Sequence, residues 1–233
     1  CHSVGRSLLG TTDRISRSSS RSGSKLRRLV LAVALTVAVI AASTHGFGAR
    51  KASAESTWTT ISSSMSPLAL DIDDSNNVWI GDADGAGTDG VRVVPAATGT
   101  IFGVAVTEGV DTVLFELNQV QGILMDPSGR LFISTGTGSL YVVTPTASTV
   151  FGVSTDANQL TLLDNGGPFA GGLAMDSAGN LFGGRLSDGG IAVLPVATGN
   201  LYGVSVTANS PVVLTTSPEW SGDVAIDGND NLL

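Results

Sequence analysis

Cysteine, histidine and lysine are nearly missing from this chain of 233 residues, and the few present sit at its start. The only cysteine is Cys1, the histidines are His2 and His45, and the lysines are Lys25 and Lys51. From Glu55 onward no disulfide can form, so that part has to be held by a buried core. It also lacks any imidazole to serve as a general base. Basic residues are scarce there too: Arg92, Arg130 and Arg185 stand against 19 carboxylates, a net charge of −16. Phosphate binding needs clustered Lys and Arg, which excludes nucleic acid as a partner. No apolar run approaches the roughly 20 residues of a membrane-spanning helix.

The first 54 residues have the opposite character. They carry nine Lys and Arg against Asp13 alone, a net of +8. Lys25, Arg27 and Arg28 lead into LVLAVALTVAVIAA, an apolar run of 14 residues at 29–42, and Ala52-Ser53-Ala54 follows. A basic flank, a short apolar core and small residues at the cleavage positions form the pattern of a signal peptide. We therefore expect a signal-peptide helix in segment 1–54, cleavage between residues 54 and 55, a linker over 55–65, and a mature protein that is secreted or at the cell surface. The spacer before the cleavage site is long, so an uncleaved anchor is the alternative and the only membrane contact foreseen. Arg27-Arg28 is also compatible with twin-arginine export, although paired arginines are common in ordinary signal segments. Cys1 precedes the apolar run, which excludes it as a lipoprotein cysteine.

The rest repeats itself. Asp73, Asp126, Asp176 and Asp227 close four similar segments at intervals of 53, 50 and 51 residues. GTIFGVAVT, STVFGVSTD and GNLYGVSVT recur at the same period, as do VVPAATG, VVTPTAS and VLPVATG. Three landmarks in one order define repeats at about 66–118, 119–168 and 169–219, with a truncated copy at 220–233. Short segments rich in Val, Ile, Leu and Phe, separated by Gly, Asp, Asn and Ser, follow the grammar of strands and turns. An Asp followed shortly by Gly or Asn is turn chemistry, so the recurrent Asp reads as structural. We count five candidate strands per copy. Four suffice for a blade, and the stretch Thr207–Pro211 is the expected bend within an outermost strand.

Segments such as GLAMDSAGNLF resemble NHL-type β-propeller repeats, and Asn77-Val78-Trp79-Ile80-Gly81 resembles a bacterial regulator-type propeller repeat. The resemblance spans roughly 66–233 and implies an all-β fold of propeller blades with about four antiparallel strands each. Some three and a half repeats are visible, which reads as part of a propeller of about six blades. Streptogramin-lyase-like and gluconolactonase-like propellers share this architecture. The lyase resemblance implies a catalytic histidine, absent from the repeats; the carboxylates and Asn of gluconolactonase-like sites map onto no residues here. A lyase or lactonase-like enzyme therefore requires catalytic residues in further blades. No catalytic residue is assigned.

Three features could carry function. The loop GDADGAGTDG holds Asp82, Asp84 and Asp89 around glycines, a candidate Ca²⁺ site, with Asp71 and Asp73 as supplementary oxygens. Its plainer reading is a solvated hairpin tip. The same loop fits G-x-G-x-x-G, but VRVVP follows where a dinucleotide site needs a helix. Segments 81–90, 134–139 and 184–189 should share one rim with the links near 164–171 and 216–222, and they vary most among copies. Arg185, Asp188, Glu219 and Trp220 on this rim are the candidate ligand contacts, with Arg185 suited to an acidic group. Trp79, Phe132 and Phe182, and likewise Phe102, Phe151 and Tyr202, occupy equivalent positions and read as blade core. The function implied is an exported interaction or ligand-binding module for a protein, glycan or small molecule. The alternatives are the enzyme just described and a structural segment of a cell-surface array.

Overall fold

The computed structural model describes Thr60 and residues 66–83, 90–186, 189–216 and 222–233. The signal segment, the 54/55 junction and, Thr60 apart, the linker 55–65 lie outside the described residues.

In each repeat the first strand ends at the Asp turn. Asp73 Oδ1 accepts the backbone N–H groups of Ser75 and Asn77, both at 2.9 Å, while Oδ2 accepts from Asn77 Nδ2 and Trp79 Nε1. Asp126 accepts from the N–H groups of Ser128 and Arg130, and Asp227 from those of Asn229 and Asn231. Asp176 accepts from Asn180. Three residues after each Asp the chain adopts positive φ, at Asn76 (64°), Gly129 (76°), Gly179 (91°) and Asp230 (61°). Such backbone favours Gly and tolerates Asn and Asp, which explains the residues found there.

The turn folds two strands into a hairpin, and the chain then meanders outward. In the first repeat the strands are β1 (Pro67–Ile72), β2 (Val78–Asp82), β3 (Gly90–Val94), β4 (Gly99–Ile101), β5 (Val104–Val106) and β6 (Thr112–Glu116). The second has β7 (Val120–Met125), β8 (Leu131–Thr135), β9 (Leu140–Val143), β10 (Ser148–Val150), β11 (Val153–Thr155) and β12 (Leu160–Asp164). The third has β13 (Leu173–Met175), β14 (Leu181–Gly184), β15 (Ile191–Leu194), β16 (Gly199–Leu201), β17 (Val204–Val206) and β18 (Val212–Thr215). Three four-stranded antiparallel sheets result, β1-β2-β3-β6, β7-β8-β9-β12 and β13-β14-β15-β18. The fourth copy supplies a first hairpin, closed by an Ile226–Leu232 bridge and reciprocal bonds between Ala225 and Leu233. Strand β7 lies between β1 and β13, so the first strands of the blades line up along one inner surface. The described chain is all-β and built of β-propeller blades.

The fifth segment departs from expectation. GTIFGVAVT and its counterparts form separate two-stranded hairpins, β4-β5, β10-β11 and β16-β17, between third and outermost strands. Thr207–Pro211 is not a bend within an outer strand but a turn leading into it, with Ser210 N–H bonded to Thr207 O and Asn209 N–H to Pro195 O. A hairpin adds two short crossings that cancel, so four strands still carry the blade.

Phe102, Phe151 and Tyr202 sit at the tips of these hairpins, at φ of 45°, 47° and 50°, each followed by a Gly of positive φ. Two such residues make the tight turn that suits hairpin twist, for which Asn-Gly is the usual pair. The aromatics fold back instead. Phe102 meets Trp79 at 5.9 Å, Phe151 meets Phe132 at 6.2 Å and Tyr202 meets Phe182 at 5.9 Å between ring centroids. Trp79, Phe132 and Phe182 are true core, at most 1% exposed. Tyr202 is 52% exposed, which corrects its reading as core: a hairpin tip can lay a ring across a blade without burying both faces.

The core is divided among the seams between repeats. Trp79, Val91 and Val93 of the first blade pack on Ile123, Met125 and Ile133 of the second. Phe132, Leu140 and Val142 pack on Leu173, Leu181 and Leu194 of the third. Phe182 and Val193 then meet Val224, Ile226 and Leu232 of the fourth copy. Full burial of each such side chain contributes about 1.5–3 kcal/mol, so a blade gains most of its stability from its neighbours. Every outermost strand carries one extra residue in its pairing, Leu114, Leu163 or Leu214. Such bulges make an outer edge a poor template for strand pairing.

Candidate functional site

At the end of the blades opposite the Asp turns, parts of the expected rim lie together, while residues 84–89, 187–188 and 217–221 of it lie outside the described residues. Gly136 N–H bonds to Gln119 O at 2.8 Å, Ser139 Oγ donates to Asn165 Oδ1 at 3.4 Å, and Ala170 N–H bonds to Gly184 O at 3.1 Å. Hairpin 135–139, link 165–170 and the end of β14 are thus brought together. On this rim Asp82, Thr135 and Arg185 occupy one repeat position, directly after Gly81, Ser134 and Gly184. Arg185 is half-buried and closes its own hairpin through bonds with Gly189 and Gly190. A Cβ on Gly190 would come within 3.3 Å of Arg185 Cδ, so the bare glycine accommodates the aliphatic stem. Asp188, Glu219 and Trp220 lie outside the described residues.

Of the candidate Ca²⁺ residues, Asp82 is described, and Asp84 and Asp89 lie outside the described residues. Asp82 is 1% exposed, and its Oδ1 accepts Ser66 N–H at 3.2 Å. Asp71 and Asp73 are separated from it: Asp71 pairs with Trp79 while Asp82 pairs with Pro67, at the other end of the same hairpin. Asp73 is committed to its turn. Neither can supplement a site at Asp82. Among the described residues no group of three or more His, Cys, Asp or Glu is placed to hold a metal ion.

The inner strands enclose a feature that sequence reading missed, a cavity of about 310 Å³ with walls from all four repeats. Leu68, Leu70 and Asp71 come from β1, Gln121 and Leu124 from β7, and Asp223 from the fourth copy. The strands approach closely because they carry glycine. Gly172 N–H bonds to Gly222 O at 2.8 Å, and Ser134 Oγ reaches Gly171 O at 2.5 Å. A Cβ on Gly122 would stand 2.5 Å from Gly171 O, and one on Gly172 would stand 1.9 Å from Asp223 Oδ1. Asp71 Oδ2 bridges to the second blade by accepting Met125 N–H at 2.7 Å, and its Oδ1 accepts Ile72 N–H. Asp223 Oδ1 accepts Val224 N–H at 2.9 Å. A signal for this site was present. One repeat position reads Ala69, Gly122, Gly172 and Asp223, and another reads Asp71, Leu124, Ala174 and Ala225. Charge thus appears where the repeat is otherwise small or apolar.

On the turn face, Ser177 Oγ and N–H donate to the Asp230 carboxylate and Tyr202 Oη donates to Asp230 O at 2.7 Å, tying the third blade to the fourth copy. Desolvation, followed by the carboxylates of Asp176, Asp230 and Asp227, raises the Tyr202 phenol above its ordinary value.

No protein-family model matches the chain, and no curated protein does. Among solved structures it is similar to a catalytically inactive virginiamycin B lyase from Staphylococcus aureus with quinupristin, at 12% identity and a TM-score of 0.44. The alignment covers 72% of this chain and 47% of that one, so the chain spans about half the length of the structure it matches. So slight a likeness carries no argument, and the propeller architecture rests on the sheets themselves.

Proposed function

We propose that this chain is an exported binding module that recognises an acidic ligand, a glycan, protein or small molecule, at the rim opposite its Asp turns. The observation that carries the reading is the contrast between the two ends of the blades. At one end the same Asp holds the same turn in all four copies. At the other, one equivalent position holds Asp82, Thr135 and Arg185 in turn. A scaffold needs the first kind of position to repeat, whereas recognition is free to use the second. Arg185 is the cation among the rim segments, and with its Nε and Nη1 buried it offers a carboxylate or sulfate a single charge-assisted bond rather than a bidentate fork.

The test is a panel of uronic-acid and sulfated glycans and their neutral counterparts, offered to the full chain as secreted. Binding of an acidic member should fall about tenfold on Arg185→Ala, the size of one charge-assisted hydrogen bond, and less on Arg185→Lys. Acidic-ligand binding indifferent to Arg185, or a ligand protecting the turns at 126–129 and 176–179, refutes the reading. Mass spectrometry of the secreted product, with an N-terminus at Glu55 as the expected result, tests export.

A further inference from the structure

We propose that the Asn165-Gly166 peptide is a site of spontaneous covalent modification in the folded chain, where the asparagine loses ammonia through a cyclic imide, assisted by the Ser139 hydroxyl. Asn165 is the one asparagine of the sequence followed by glycine. Attack on its side-chain amide comes from the next backbone nitrogen, and a side chain on that next residue would stand in the way. Gly166 brings none, and the space around it is open, since a Cβ there would meet nothing within 4 Å. Both residues are exposed, so water reaches the reacting atoms and ammonia leaves freely.

What the fold adds is Ser139. Its Oγ accepts Gly166 N–H at 3.4 Å and donates to Asn165 Oδ1, also at 3.4 Å. One hydroxyl thus draws on the proton of the nucleophile and on the oxygen where negative charge develops. Thr137 Oγ1, at 3.5 Å, can fill the second lone pair of Ser139 Oγ and leave its proton for Asn165. A close backbone approach holds the contact. Gly138, at φ 82°, lies against the link, and a Cβ on it would stand 2.3 Å from Gly167 O. The turn asparagines are arranged otherwise. Asn77, Asn180 and Asn231 donate through Nδ2 to the turn aspartates and precede Val78, Leu181 and Leu232.

In the reaction Gly166 N bonds to Asn165 Cγ and gives its proton to water, and the tetrahedral centre expels Nδ2, protonated by water, as ammonia. Nothing is oxidised or reduced. Water then opens the imide at either carbonyl, restoring the peptide with an aspartate or rerouting it through Cγ as an isoaspartate. Either product adds a negative charge beside Asp164, and the inference does not depend on the rim binding a ligand.

The test incubates the full chain at mildly alkaline pH in heavy-oxygen water and maps it by tandem mass spectrometry with electron-transfer fragmentation. Residue 165 should take up a labelled oxygen and give both isomers, faster as pH rises, while the turn asparagines stay intact. Ser139→Ala should slow the native reaction about fivefold, the factor carried by one ordinary hydrogen bond. In urea Ser139→Ala and wild type should react alike, which separates the folded contact from the reactivity of the dipeptide itself. Gly166→Ala should slow the reaction further than Ser139→Ala does, folded or unfolded. An unlabelled residue 165, a native chain slower than the unfolded one, or a folded Ser139→Ala chain as fast as wild type each overturns the proposal.

Discussion

Replacing Phe151 with Asn sets two effects against each other. Phe151 holds φ at 47° in a hairpin turn completed by Gly152. An L-residue with a bulky side chain costs about 1–2 kcal/mol in that region, and Asn, the residue such turns favour, costs less. The substitution should recover about 0.5–1 kcal/mol of strain. Against that, the Phe151 ring is partly buried in the second seam and meets Phe132 edge-on at 6.2 Å. Half of a full aromatic burial is worth about 1–1.5 kcal/mol, and an edge-to-face pair adds about 0.5–1.5. Packing wins by this reckoning, and Phe151→Asn should destabilise the chain by about 1–2 kcal/mol. Urea unfolding followed by fluorescence and circular dichroism measures it, provided both probes report one transition and an unchanged slope. A cycle with Phe132→Leu should return a coupling of about 0.5–1.5 kcal/mol from the ring pair. The matching change Tyr202→Asn removes less buried ring, at 52% exposure, but also the edge-on contact with Phe182 and the Oη bond to Asp230 O, so it too should destabilise, by less than Phe151→Asn. A Phe151→Asn protein as stable as wild type or more so would refute the argument, leaving the recurring aromatic without a packing reason.

Three further outcomes follow from the geometry. Asp126→Ala removes the acceptor for Ser128 N–H, Arg130 N–H and the Arg130 guanidinium at a site 5% exposed, and should cost about 2–3 kcal/mol in urea unfolding. The same change at Asp227, whose turn is open to solvent, should cost less than half of that. Gly122→Ala would drive a Cβ to 2.5 Å from the backbone O of Gly171 and should destabilise by about 1–3 kcal/mol, whereas Gly99→Ala meets nothing within 4 Å and should be neutral or slightly stabilising. Tyr202 holds its proton more tightly folded than unfolded, so its contribution to stability is complete below about pH 10 and fades as pH rises through the folded value. Ultraviolet titration of wild type and Tyr202→Phe should show the late-ionising phenol in wild type alone, and a phenol ionising at or below the unfolded value would contradict the contact with Asp230.

Period and turn chemistry are local properties, and they were legible from the residues alone. A spacing of 50–53, alternating apolar segments and an Asp three residues ahead of Gly, Asn or Asp determine hairpins, and stacked hairpins determine blades. The structural role of Asp73, Asp126, Asp176 and Asp227 followed from the same chemistry, because the bonds that hold each turn are made within four residues. The pairing of Phe102 with Trp79, of Phe151 with Phe132 and of Tyr202 with Phe182 was not legible. Equivalent positions say that two residues play one role in each copy, not that a hairpin tip reverses the chain and lays one ring on the other. For that reason GNLYGVSVT read as a strand and is a hairpin.

The meeting of hairpin 135–139 with link 165–170 was foreseeable because antiparallel alternation sends every second loop to the same end. The cavity was decided by tertiary structure alone. Asp71 and Asp223 stand 152 positions apart in the sequence and meet one space because four inner strands approach across bare glycines. Reading along one strand joins Asp71 to Asp73, two residues away, whereas the folded chain gives Asp71 to Met125 of the next blade and Asp73 to its own turn. Sequence spacing reports which residues share a strand face. Which strands come to lie beside one another depends on how the blades pack, a matter of seam volume and the missing side chains of Gly122, Gly171 and Gly172.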